Sequence, residues 1–410
     1  MQTALQAYVE SKGHGGIEIA RTADLFRRYA FIEQSCVRAL AGWFLKHPDW
    51  ECKIRLGYLL FSHAEHVYEH KGRLEELRGG HRHATLAPEL QRLGEELIHA
   101  PDGRSFLAGL RTLALALREQ YARHVGVADP AANAMEIRIL NRTLPDLQDE
   151  IDELAGWLRQ DGNREPDGDR TSEWSRYVEG LIQAAGGISG LEKAADPALS
   201  RPDTALFEWP APIQFDDRLR HADLGTYESK VSLPLRERAI GEYEVYFNEF
   251  YAAALLASVM MDSWQIHAPR QYFMDIAHHF WDEVRHAEFG AIRLRELGIE
   301  PNKINMVLFE QSRKMPLIHR ICYLALGLEV FFMPRKSERS RYYEQQGDMR
   351  SQLFADVDWS EEINHVNYGK RWIKHFLEED ARSVDDIQEE IAAYLDEFQK
   401  QLPKGKKAPW

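Results

Sequence analysis

Four acidic residues in the C-terminal half of the chain form two pairs of near-equal spacing, and the second member of each pair is followed three positions later by histidine: Glu249, Glu283 with His286, Glu329, and Glu362 with His365. Glu249 and Glu283 are 34 residues apart, and Glu329 and Glu362 are 33 apart. In an antiparallel helix pair, two residues stand level when they are equally far from the connecting turn. The first pair has its midpoint at Ile266, beside Ala268-Pro269, and the second near Gln345 to Gly347, both turn-forming stretches. A Glu-x-x-His on a helix puts carboxylate and imidazole on one face, where both reach the same ion. Four carboxylates and two imidazoles meeting at mid-bundle are the ligand set of a di-iron or di-manganese site.

The neighbours of these acids are apolar: Glu249 precedes YAAALLASVMM, and Glu329 lies in CYLALGLEVFFM. A carboxylate in such a stripe faces a core, where it is costly without a partner, and metal ligation satisfies all four acids together. Glu242 and Glu244 are rival ligands on the first helix, but the height relation favours Glu249 and leaves those two to a solvated first turn. Another Glu-x-x-His, Glu96 to His99, sits on a short segment ending at Pro101 with no helix partner at its height, and is read as accidental. Asp282, Asp358 and Asn364 are candidates to support the ligands from behind. For these the other reading is a cap or a solvated face, with Asp358 or Ser360 as a local N-cap. Tyr246, one turn before Glu249, is read as a packed core tyrosine rather than a partner in one-electron chemistry.

These residues require long helices, and the composition provides them. Apolar residues recur at three and four in FIEQSCVRALAGWFL and YFNEFYAAALLASVMM, the helical period. The pattern predicts helices over 20–46, 50–79, 104–127 and 132–160, then over 236–265, 270–297, 316–346 and 349–378. An all-α protein of two tandem four-helix bundles follows: residues 1–160, a separator at 161–235, a second bundle at 236–400 and a flexible basic tail at 401–410. The separator is rich in Gly, Pro and Asp, with one short helix expected near 174–185.

Composition excludes several classes. The 410 residues carry 51 Lys+Arg against 65 Asp+Glu, a formal charge of −14, which argues against a partner held through phosphates. The near-apolar run Phe250 to Met261 is about half of the ~20 residues that span a bilayer, so no membrane partner is expected. Cys36, Cys52 and Cys322 are too few and too scattered for a disulfide framework, and the N-terminus has no signal pattern, so a reducing cytoplasm is the expected compartment. No phosphate loop, Cys-x-x-Cys or Gly-x-Ser-x-Gly motif is present.

The two-copy pattern of Glu, a long gap, then Asp/Glu-Glu-x-x-His reads here as Asp282-Glu283-Val284-Arg285-His286 and Glu361-Glu362-Ile363-Asn364-His365. Over about Glu242 to Phe376 it resembles the ferritin-like superfamily of carboxylate-bridged di-metal proteins. The stretches DEVRHAEFGAIRLRELG and GDMRSQLFADVDWSEEINHVNYGKRW are similar to an uncharacterised ferritin-like family near the tRNA-hydroxylating and arylamine N-oxygenase branches. The resemblance implies Glu249, Glu283, His286, Glu329, Glu362 and His365 as metal ligands, a homodimer by analogy, and nothing about the substrate.

The N-terminal half repeats the pattern in altered form. Aligning FIEQSCVRALAGW with FNEFYAAALLASV places Glu33 against Glu249. Glu65 then falls against Glu283, Glu119 against Glu329, and Glu150 and Glu153 against Glu362 and His365. Intervals of 32 and 31 residues point to an ancient duplication. Tyr68 and Glu153 stand at the two histidine positions. The first bundle is therefore expected to be a non-catalytic scaffold, the alternative being an oxygen-only site for a harder ion. His63, His66 and His70 are expected on a polar helix face and receive no role.

A di-metal carboxylate site suits oxygen chemistry. The leading expectation is a non-haem di-iron oxidoreductase that activates O2 to hydroxylate, N-oxygenate or desaturate a small organic substrate. It would hold two Fe ions, with Mn or a Mn/Fe pair as alternatives, and take electrons from a separate donor. A ferroxidase or peroxide-handling protein is the runner-up, and hydroxylation of a tRNA base the third reading. The separator, with Trp174, Tyr177, Phe207 and Trp209, favours the first, because such a segment can close over a pocket.

Overall fold

A computed structural model of the chain describes residues 3–13, 15–77, 86–160, 168–193, 199–202, 205–209, 211–222, 231–264, 266–378 and 380–401. These residues are almost all helical, so the protein is all-α. In the N-terminal half the helices are α1 (Ala4–Lys12), α2 (Ile19–Lys46), α3 (Trp50–Glu76), α4 (Pro88–Glu96), α5 (Gly103–Val127), α6 (Ala134–Gln160) and α7 (Gly168–Ala184). Then follow β1 (Arg220–His221), α8 (Leu235–Phe247), α9 (Phe250–Asp262), α10 (Arg270–Glu296) and β2 (Lys303–Ile304). The chain continues through α11 (Val307–Ser312), α12 (Leu317–Cys322), α13 (Glu329–Gln346), α14 (Met349–Phe376) and α15 (Val384–Gln401). The two short strands pair in parallel. Six of the expected helices match α2, α3, α5, α6, α10 and α14 to within a turn, while α1, α4, α11 and α15 were not foreseen. The expected tail lies outside the described residues except for Gln401.

The chain divides into two compact units: Met1–Trp43 with Leu59–Trp209, and Phe44–Tyr58 with Pro210–Trp410. This division differs from the expected boundaries, because much of the expected separator belongs to the first unit. In that unit α5 packs along α6 and α7, and α4 packs on α7. Trp174 and Tyr177 of α7 are buried, as is Phe207. Gly109 of α5 makes room for Trp174: a Cβ there would come within 2.6 Å of the indole Nε1. These three aromatics belong to the core of the unit, whereas Trp209, the fourth aromatic of the expected lid, is only partly covered. Apolar surface of this size is worth more buried than held ready at a surface.

In the second unit α10 packs against α8, α9 and α14, and α13 lies along α14. The turns fall where the midpoints require them. Pro269 precedes α10, and Gly347, at φ 70°, ends α13, where only glycine is unstrained. The side chain of Asp348 then accepts from Ser351 N at 3.1 Å and starts α14.

Two expected helices are interrupted, both at the site. The first is broken at Asn248-Glu249, between α8 and α9. A close crossing lies beside the break: a Cβ on Gly290 of α10 would lie 2.2 Å from Phe247 N, so the backbones nearly touch there. The second interruption is a π-helical turn, Tyr323–Leu328, immediately before Glu329. Such turns insert an extra residue and re-aim the side chains that follow. Among the described residues the run Leu317–Gln346 is long and apolar enough to cross a membrane, but half of its most apolar window is buried inside the structure.

Candidate metal centre

All six expected ligands are buried and converge in the second unit. Glu249 stands at the α8/α9 break, Glu283 and His286 on α10, Glu329 at the first turn of α13, and Glu362 and His365 on α14. Two compact groups of donors form, His279 with Glu283, Glu329 and His365, and Glu283 with His286 and Glu362; a third joins Glu249, His286 and Asp358. His286 Nδ1 lies 3.2 Å from Glu249 Oε2 and 3.7 Å from Glu283 Oε2. His365 Nδ1 lies 3.3 Å from Glu283 Oε1 and 3.8 Å from Glu329 Oε1.

The far nitrogens of these imidazoles are anchored to carboxylates. His286 Nε2 meets Glu361 Oε2 at 2.9 Å, and His365 Nε2 meets Asp282 Oδ2 at 3.1 Å. A carboxylate behind an imidazole fixes the ring and raises its basicity, the usual surrounding of a histidine ligand. The near sides are unsatisfied. Glu249 Oε2, Glu283 Oε1, His286 Nδ1, Glu329 Oε2, Glu362 Oε2 and His365 Nδ1 are each buried without a hydrogen-bond partner among the described residues. One orphaned donor atom on every expected ligand is an arrangement that cations complete, so the residues fit a di-metal centre.

Three further residues enter the site. His279, one turn before Glu283, meets Glu329 Oε1 at 2.7 Å and stacks on His365 at 3.8 Å between ring centroids. Lys336, two turns after Glu329, directs its buried ammonium at Glu362 Oε1, at Asp358 Oδ1 (2.6 Å) and at Glu249 Oε1 (3.6 Å). Asp358 also accepts from Tyr246 Oη at 2.7 Å. The sequence signal for His279 and Lys336 was their separation of four and seven from a ligand, which keeps them on its face.

The remaining candidates sort clearly. Asp282 supports His365 as expected. Asp358 lies inside α14, not at a cap, and Asn364 is exposed on the opposite side. Glu242 is buried, accepting from Tyr343 Oη at 2.7 Å and from Arg238, while Glu244 pairs with Lys303 outside the site. The expectation of a solvated first turn therefore fails for Glu242, because Arg238 and Tyr343 supply the partners that allow its burial.

The field divides the acids. Burial pushes Glu249 and Glu362 up, Glu362 well above the carboxylate range, with Glu329 and Glu283 adding repulsion. Glu283 is also desolvated, but the three imidazoles close to it, His279, His286 and His365, outweigh burial and hold it well below that range. Burial opposes charge on Lys336, yet Asp358, Glu249 and Glu362 raise it well above its ordinary value.

In the first unit the five expected acids do not converge. Glu65 and Glu119 are exposed, and Glu153 is only partly covered. Glu33 and Glu150 are buried and meet His63 and His66 instead. His63, His66 and His70 all face inward, against the expected polar face: they share one stripe of α3 at i, i+3 and i+7, which turns Glu65 outward. Burial disfavours the charged imidazoles, but Glu150 and Glu33 together lift His63 to about 10, and Glu33 and Asp146 lift His66 to about 9.

Neither a search of curated proteins nor one of solved structures finds a match. A family profile described as "Protein of unknown function (DUF455)" matches residues 243–410, which take in all six candidate ligands.

Proposed function

We propose that the second unit is a ferritin-like four-helix bundle holding two iron ions, or manganese in one or both positions, through Glu249, Glu283, His286, Glu329, Glu362 and His365. In this reading the protein is a cytoplasmic non-haem oxidoreductase that uses O2 to hydroxylate, N-oxygenate or desaturate a small organic substrate, with a separate electron donor. The observation that supports it is the set of six orphaned donor atoms, one per ligand. When bound, the metal pair supplies reversible one-electron steps and a place for oxygen to bind. The chain's own residues do the rest. Glu361 and Asp282 hold the two imidazoles in place, and Lys336 balances the buried negative charge around Glu249, Asp358 and Glu362. The residues of α9 from Ala252 to Met261, which follow Glu249, are buried.

A second reading is ferroxidase or peroxide removal without an organic substrate; the burial of Trp174, Tyr177 and Phe207 in the first unit's core supports it, since those three side chains are not free to close over a pocket. Oxygen uptake by the anaerobically Fe(II)-loaded protein separates the two. A single burst proportional to the iron added supports ferroxidase chemistry, whereas sustained uptake with a reductant and an organic substrate supports the oxygenase. Uptake unchanged by Glu283→Ala with Glu362→Ala would exclude both. Hydroxylation of a tRNA base is the least supported reading, given the −14 charge.

A further inference from the structure

The buried cluster of the first unit repeats, with different residues, the layout of the centre in the second. His63 Nδ1 and His66 Nδ1 both face one oxygen, Glu33 Oε2, the latter at 3.4 Å. Behind each ring stands a carboxylate: Glu150 Oε1 is 3.3 Å from His63 Nε2, and Asp146 Oδ2 is 3.2 Å from His66 Nε2. The other oxygen of Glu33 accepts from Tyr121 Oη at 2.8 Å. Three donor atoms therefore meet at one point, each held from the far side by a second group, as metal-bound histidines and carboxylates are. The three residues lie close enough to share one ion.

We propose that Glu33, His63 and His66 form a mononuclear site for a first-row divalent transition-metal cation such as Zn2+ or Fe2+. Two imidazole nitrogens with one carboxylate select this class over Ca2+ or Mg2+, which take oxygen ligands. The two rings lie 5.9 Å apart between centroids and both turn Nδ1 to the same Glu33 oxygen. The site shares no residue with the second unit's centre, so it stands or falls independently of the function proposed above.

The test is Zn2+ bound per full-length chain after loading and gel filtration, in a background carrying Glu283→Ala and Glu362→Ala to silence the second unit. One Zn2+ per chain is expected, falling to none when His63→Gln and His66→Gln are added. Co2+ loading gives an independent readout, a visible d–d absorption present in that background and lost with the two histidine changes. No retained Zn2+ in the background variant, or Zn2+ that survives the histidine changes, would overturn the site. If the background variant melts abnormally, the same pair of histidine changes in the otherwise unaltered chain must lower bound metal by one ion, and an unchanged count overturns it equally.

Discussion

Lys336 Nζ lies 2.6 Å from Asp358 Oδ1, and the same ammonium reaches Glu362 and Glu249, so one buried cation serves three buried acids. Removing one member of such a set leaves uncompensated charge, at a cost of about 3–5 kcal/mol. Lys336→Met should therefore lower the thermal midpoint of the metal-free protein by roughly 10 °C, taking 2–4 °C per kcal/mol for a unit of this size. Metal loading should recover part of the loss. A metal-free variant that melts with the wild type would show that the ammonium does not hold these acids.

The carboxylates behind the imidazoles give a second prediction. Asp282→Asn and Glu361→Gln each keep the shape of the side chain but withdraw the charge that orients His365 or His286. Each should weaken metal binding about 10–100-fold while leaving the number of ions at saturation unchanged. Titration with a competing chelator measures this, and wild-type affinity in both variants would contradict the role.

Gly290→Ala tests what aims Glu249. The added methyl would meet the backbone of Phe247, which cannot swing aside as a flexible side chain would. Overpacking of this kind costs about 1–3 kcal/mol. The variant should melt lower and bind metal less tightly, since the helix break that carries Glu249 must shift. Unaltered melting together with unaltered metal affinity would mean that the close crossing does not set the break.

Acid should destabilise the first unit through a buried neutral histidine. His124 is desolvated and pushed down to about 3, whereas an unfolded histidine titrates near 6.5. Its contribution is complete above about pH 6.5 and is lost as the pH falls toward 3, because the unfolded chain gains the proton first. Denaturation midpoints measured from pH 7 to 4 should fall, and His124→Gln should flatten that fall. Equal slopes in the two proteins would rule out His124 as a source of the acid sensitivity.

The six candidate ligands were legible in the sequence because equal distance from a turn is a property of spacing alone. What the sequence concealed came from local geometry that spacing does not encode. The break at Asn248-Glu249 lies against Gly290, some forty residues away, and the π turn before Glu329 lies in an apolar run that reads as ordinary helix. Lys336 sits in PRKSERSR, where a lysine looks solvated, and only its phase relative to Glu329 marks it as inward. In the first unit the alignment followed the acids, but the face of α3 follows the stripe of His63, His66 and His70, so Glu65 was misplaced. Trp174, Tyr177 and Phe207 of the separator carried apolar area that either a lid or a core could use, and packing decided for the core.

The most direct test of the metal centre is iron bound per chain after anaerobic Fe(II) loading, compared between the wild type and the Glu283→Ala, Glu362→Ala variant. Two ions lost on making the two substitutions, with any remainder abolished by His63→Gln and His66→Gln, is the predicted result. A wild-type chain that retains no iron, or a variant that binds as much as the wild type, would contradict a centre built on these residues.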